Sequence, residues 1–82
     1  MKNENYSLVV KTTENELIND MAIIATLSRL YDGDVDSNLV DKILTDIESD
    51  RNPVLYFGTE DKCKIGGKIL SECNINFEIE KV

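Results

Sequence analysis

The chain has 82 residues, 41% hydrophobic and 30% charged, with no histidine and a net charge of −7. That length holds one domain with a thin core, and the composition is that of a folded chain rather than a disordered one. The charge argues against direct nucleic-acid binding, which needs clustered Lys and Arg to neutralise phosphate.

The first residues, Met1 to Tyr6, carry neither an apolar run nor a cleavage pattern, so no signal peptide is expected. Residues 1–5 read as a flexible N-terminus of a single domain spanning 1–82. Residues 6–12 alternate as a strand, with Tyr6, Leu8 and Val10 on one face and Ser7, Val9 and Lys11 on the other. Thr13-Glu14-Asn15-Glu16 has the form of a capping box and predicts a helix from about Glu14 to Tyr31. Its apolar stripe is Leu17, Met21, Ile24, Leu27 and Tyr31, widened by Ile18, Ile23 and Leu30. Asp32-Gly33-Asp34 stops it.

A second helix is expected from Ser37 to Asp50, capped by Asp36 or Ser37, with Leu39, Val40, Ile43, Leu44 and Ile47 as its apolar face. Pro53 ends it through the restriction it places on Asn52. Val54-Leu55-Tyr56-Phe57 is wholly apolar and reads as the most buried strand, central in the sheet or covered on both sides. A third helix follows, capped by Thr59, with Cys63, Gly66, Gly67, Leu70 and Cys73 along one side. Gly66-Gly67 costs that helix about 2 kcal/mol against two alanines, and a hairpin starting at Lys62 to Ile65 competes. The helix is preferred because paired glycines let its backbone come close to a sheet. Asn74 closes it, and Ile75 to Val82 alternates as a strand with one wet face.

The resulting order is a two-layer α+β fold, β-α-α-β-α-β, with a three-stranded sheet and the helices on one face. The second and third strands, joined through a helix, would run parallel. Cys63 and Cys73 would lie about 15 Å apart along the third helix, too far for a disulfide, and two cysteines without histidine make a poor zinc site. Both are expected to be reduced and packed in the core. The longest apolar cluster, Met21 to Ala25, is too short to cross a bilayer, so a cytoplasmic protein without membrane contact is expected.

Two local patterns suggest ligand chemistry and fail on spacing. Asp32-Gly33-Asp34-Val35-Asp36 opens like a calcium loop, but Ser37 and Ile43 stand where glycine and glutamate are required. Lys64-Ile65-Gly66-Gly67-Lys68 matches no phosphate-loop spacing and lies inside a helix rather than ahead of one. Without an imidazole to activate a cysteine or move a proton, no catalytic group, metal or cofactor is expected.

Pro53-Val54-Leu55-Tyr56, Thr59-Glu60-Asp61 and the run from Ile69 to Glu80 give a strand, an acidic helix start and an alternating, Glu-rich final strand. This pattern and the order of elements resemble two related families, the C-terminal domain of the bacterial ribosomal stalk protein and the adaptor that delivers substrates to the Clp protease. The resemblance implies a fold of protein-docking type. It carries over no functional residue, since the stalk domain's basic docking surface has here only Arg29 and Lys42, and the adaptor's histidine has no counterpart.

The functional expectation comes from where the charge lies. Asp32, Asp34, Asp36, Asp41, Asp46, Glu48 and Asp50 crowd one segment against two basic residues, Lys42 and Arg51. They are the candidate partner-binding residues of a small non-enzymatic protein-interaction module whose partner has a basic surface. A sharper form is an inhibitor of a nucleic-acid-binding protein that imitates phosphate charge, as small phage-encoded and immunity proteins do. The alternative is an adaptor or homo-oligomer binding through an apolar sheet face that includes Leu55 and Phe57, or Val9. Solubility alone also accounts for an acidic surface.

Overall fold

The computed structural model describes residues 5–14 and 17–82. Its elements are β1 (Tyr6–Val10), a 3-10 turn (Thr12–Glu14), α1 (Asp20–Leu30), α2 (Ser37–Glu48), β2 (Val54–Gly58), α3 (Glu60–Glu72) and β3 (Phe77–Lys81). The α+β class and the β-α-α-β-α-β order are as the sequence predicts. Of the expected N-terminal tail, residues 1–5, the first four lie outside the described residues, and the Asn5 carbonyl accepts a hydrogen bond of 2.8 Å from the Val82 N–H.

The sheet runs β2-β1-β3, with β1 antiparallel to both neighbours. The second and third strands therefore do share a direction, but β1 lies between them. This corrects the placing of residues 54–57. β2 is an edge strand with only Leu55 fully buried, and β1 is the central strand, with Ser7, Leu8, Val9 and Val10 all buried. A run of apolar residues marks a strand without saying which neighbours it acquires.

Register assigns the two faces. Leu8 pairs with Tyr56 and Ile79, and Val10 with Phe77, so these side chains share the helix-covered face. Ser7 pairs with Phe57 and Glu80, and Val9 with Val54 and Glu78, which places these on the opposite face. An irregularity between Leu8 and Val9 leaves Leu55 unpaired opposite them. Its side chain is buried in the core, and its carbonyl accepts from the Tyr31 hydroxyl at 3.1 Å. Leu55 is therefore not on the open face, contrary to expectation, and Val54 is.

α3 crosses the sheet and packs on all three strands, with α1 beside it. Its two glycines are what permit this. A Cβ on Gly66 would lie 2.6 Å from Leu8 Cδ2 and 2.8 Å from Leu30 Cδ1, and one on Gly67 would lie 2.6 Å from Phe77 Cε2. The core joins Leu8, Ile23, Leu27, Leu30, Cys63 and Leu70, with Ile43 as the fully buried residue of α2. The buried Thr26 hydroxyl is satisfied by the Ala22 carbonyl at 2.8 Å.

The first helix departs most from expectation. It begins at Asp20, not Glu14, and its N-cap is Asn19, whose side chain accepts from the Met21 N–H at 2.8 Å. The Glu16 half of the expected capping box lies outside the described residues. Just before it, Thr12 is held by distant chain: its N–H donates to Asn52 Oδ1 at 2.9 Å and its hydroxyl to the Arg51 carbonyl. With the late start, Leu17 and Met21 leave the predicted stripe for solvent, at 89% and 68% exposure. The buried face is instead Ala22, Ile23, Thr26, Leu27 and Leu30.

α2 and α3 begin where expected. The Asp36 carboxylate caps α2 by accepting from the Asn38 N–H at 2.9 Å, and the Thr59 hydroxyl caps α3 by accepting from the Lys62 N–H at 3.3 Å. All three helices end on a non-glycine residue in the left-handed region, Asp32, Asp50 and Asn74. The Gly33, Arg51 and Ile75 N–H groups then bond back to the Ser28, Asp46 and Leu70 carbonyls at 2.8, 2.8 and 2.9 Å, closing each helix with a Schellman motif.

Among the described residues no helix is long and apolar enough to cross a membrane.

Candidate functional site

The seven acidic candidates fall into three positions along and around α2. Asp32, Asp34 and Asp36 sit at or before its N-terminus, all exposed. Asp41 and Glu48 point outward, seven residues apart and so two turns along the same face. Asp46 and Asp50 mark its C-terminal end, Asp46 half-buried on the flank and Asp50 exposed. They are spread along the length of α2 and around its flanks, with Asp46 turned about 140° from Asp41, and do not make a single cluster.

Two of the seven already have structural work. Asp36 is the N-cap of α2. Asp46 pairs with Lys42 at 3.4 Å, one turn before it. The other five form no ion pair among the described residues. Asp46 and Glu48 occupy the last turn of α2, where no basic residue accompanies them. Negative side chains there oppose the helix dipole, an arrangement that costs a free helix stability and favours a cation arriving from outside.

Among the described residues, no three His, Cys, Asp or Glu side chains converge as metal ligands would. The loop Asp32-Gly33-Asp34 turns with positive φ at Asp32 and Gly33, and its Asp34 N–H bonds to the Tyr31 carbonyl at 2.9 Å. It is an inter-helix turn that delivers the cap of α2.

The two cysteines are both free but differ in setting. Cys63 packs in the core, as expected of both. Burial first, and the nearby Glu60 carboxylate second, push its thiol above the ordinary range, which opposes thiolate chemistry. Cys73 is exposed at the C-cap of α3, contrary to the expected core position. Lys62 Nζ, near the start of α3, donates to the Leu30 carbonyl at 3.4 Å, spending a cation on the end of α1.

The open sheet face presents a second surface. Phe57 is 54% and Val54 49% exposed there, beside the nearly covered Val9. Lys11 crosses the same face to Glu78 at 3.2 Å and to Glu80 at 4.0 Å. A side-chain hydrogen bond with Glu80, then Lys11, holds the Glu78 carboxyl below its ordinary range. On the other side of β2, Tyr56 meets Tyr31 edge to face with ring centroids 5.5 Å apart. Burial, then Tyr56, raises the Tyr31 hydroxyl pKa.

Sequence reasoning missed the residues that the late start of α1 exposes. Leu17, Ile18 and Asp20 come to lie opposite Ile47, Glu48 and Asp50 across an open groove of about 240 Å³. The signal was present in Asn19-Asp20, a strong cap followed by a first-turn acid, and was overridden by the earlier Thr13 pattern. A further open cleft of about 350 Å³ lies between α2 and the start of β2, lined by Leu39, Ile43, Asp46 and Val54 among others.

Compared with protein-family models, with curated proteins and with solved structures, the chain matches none.

Proposed function

We propose that the chain is a small non-enzymatic interaction module in a cytoplasmic setting, and that the acidic side of α2 docks a basic surface on another protein. One observation carries the reading. Asp32, Asp34, Asp41, Glu48 and Asp50 stay in solvent with no ion-pair partner among the described residues, and they lie on α2 or in the turns that flank it, Asp41 and Glu48 on one face of the helix. Such a surface speeds encounter with a positively charged partner and rejects a like-charged one. The absence of histidine and the raised thiol pKa of the buried Cys63 support a role without nucleophilic or acid–base chemistry. The sharper form, an inhibitor that occupies a nucleic-acid-binding protein in place of phosphate, rests on the same carboxylates.

The test is affinity capture with the chain and with its Asp41→Lys/Asp46→Lys/Glu48→Lys form. The expected result is a captured protein with a basic binding surface, lost on the triple reversal while the circular dichroism of the fold stays the same. Undiminished capture by the reversed form would remove the reading.

A second reading has its own observation. Phe57 and Val54 together leave an apolar strip on the open face of an edge strand, the kind of surface through which chains associate. A homo-oligomer held this way would keep its mass in high salt by light scattering, whereas a chain acting through α2 would be monomeric there.

A further inference from the structure

The groove between α1's lead-in and the last turn of α2 combines two chemistries in one place. Its deeper wall is Thr12, buried, with the half-buried Ile18 and Ile47. Its rim is Leu17, almost wholly in solvent, together with Asp20, Glu48 and Asp50. The frame is fixed from below, because the Thr12 hydroxyl and N–H bond to the Arg51 carbonyl and the Asn52 side chain, tying the end of β1 to the loop that leaves α2.

Among the described residues, every charged side chain lining this groove is a carboxylate. They also stand beside the negative end of the α2 dipole, which has no basic side chain in its last turn. A wholly apolar occupant would strip water from three carboxylates without replacing it. A purely cationic one would leave Leu17 in water. A segment that sets an apolar side chain beside Lys or Arg satisfies both, with its anchor against Leu17, Ile18 and Ile47 and its cations toward Asp20, Glu48 and Asp50.

We infer that this groove is a docking site for a short basic segment of a partner protein that carries an aliphatic or aromatic anchor flanked by Lys or Arg. The inference rests on the reading that the chain binds a basic protein, and it moves the main contact from the outer face of α2 to its C-terminal end. The apolar anchor and the rim charges then both contribute to affinity, and the charges also set the orientation of the segment.

The experiment titrates the isotope-labelled full chain by NMR with a short amphipathic peptide of Leu and Lys, and with a counterpart in which each Leu is Ser. Amide shifts centred on Ile18, Asp20, Ile47 and Asp50 are expected. Leu17→Ser should weaken the Leu–Lys peptide by about ten-fold, the loss of one anchor contact, and the Ser counterpart should bind weaker still. Leu17 is so exposed that this variant leaves folding intact. Shifts centred on Asp32, Asp34 and Asp41, with Leu17→Ser binding as the unmodified chain does, would overturn the groove and leave the acidic-helix reading standing. No saturable shift with either peptide would overturn the groove as well, and the acidic-helix reading would then be judged by the triple reversal alone.

Discussion

Replacing Gly66 by alanine sets two opposed effects against each other at one atom. The helix gains about 1 kcal/mol, because alanine loses less backbone entropy and is the better helix former. Against this, the new methyl would lie 2.6 Å from Leu8 Cδ2 and 2.8 Å from Leu30 Cδ1, inside the distance that packed carbon atoms tolerate. Both leucines are buried in the core, so their tips can yield only against packed neighbours. Overpacking of this kind costs about 1–3 kcal/mol, so the net effect is a loss of about 1 kcal/mol. Gly67 is the internal control. Its methyl would meet the Phe77 ring at 2.6 Å, but Phe77 is half-buried and can swing outward, so Gly67→Ala should change stability by less than about 1 kcal/mol in either direction. Urea denaturation of the two variants measures the difference, and for a domain of this size 1 kcal/mol moves Tm by about 4–8 °C. Shortening the neighbour should recover part of the loss, so Gly66→Ala with Leu8→Val should be less destabilised than the sum of the two single changes. A Gly66→Ala protein as stable as the unmodified chain, or a larger loss at Gly67, would refute the argument that the glycines set how closely α3 approaches the sheet and α1.

Four further outcomes follow from the same geometry. Asp50→Gly and Asn74→Gly should each raise stability by about 0.5–1 kcal/mol in urea titrations, since both positions hold positive φ at helix ends where glycine carries no Cβ penalty. In thiol titration with an aromatic disulfide reagent, Cys73 should react at once and Cys63 only as the chain unfolds, because one is exposed and the other buried with a raised pKa. Tyr31→Phe should cost about 1 kcal/mol through the lost hydrogen bond to the Leu55 carbonyl. Because Tyr31's pKa is higher folded than unfolded, its contribution is full below about pH 10 and is lost as pH rises through the folded value, a decline the Phe variant should not show. Glu78 has the opposite sign: its folded carboxyl is depressed, first by Glu80 and then by Lys11, so its contribution is present above about pH 4.5 and fades as pH falls through the lower folded value. Lys11→Met should shrink that acid-side loss in denaturant titrations at successive pH values.

The signals that proved readable were local. Asp36 and Thr59 cap their helices because the hydrogen bond each side chain makes reaches only two or three residues along the chain. The alternation of residues 75–80 is visible for the same reason, and the glycine pair found its use against Leu8 and Phe77. The unreadable parts depended on distant chain. Thr13-Glu14-Asn15-Glu16 satisfies a helix-start rule, yet Thr12 spends its donors on Arg51 and Asn52, some forty residues away, and the helix waits for Asn19. That single tertiary contact moved Leu17 and Met21 from the predicted core to the surface, and with them the groove. The run at residues 54–57 was apolar enough for a central strand, but β1 pairs on both sides and leaves β2 at the edge. The acidic segment was legible as a segment. That Asp36 and Asp46 are committed to the helix itself, while Asp41 and Glu48 face outward, follows only from the helix register and the position of Lys42.

The central claim is that α2's carboxylates provide the contact, and the most direct measurement is the salt dependence of affinity for the captured partner. Binding constants would be determined by calorimetry across a range of ionic strength for the unmodified chain, the Asp41→Lys/Asp46→Lys/Glu48→Lys form and a Phe57→Ser control. Affinity should fall steeply with salt for the unmodified chain and for Phe57→Ser, and should be weak at every salt concentration for the triple reversal. Affinity indifferent to salt and to the triple reversal, but lost in Phe57→Ser, would contradict the claim and place the contact on the open face of the sheet.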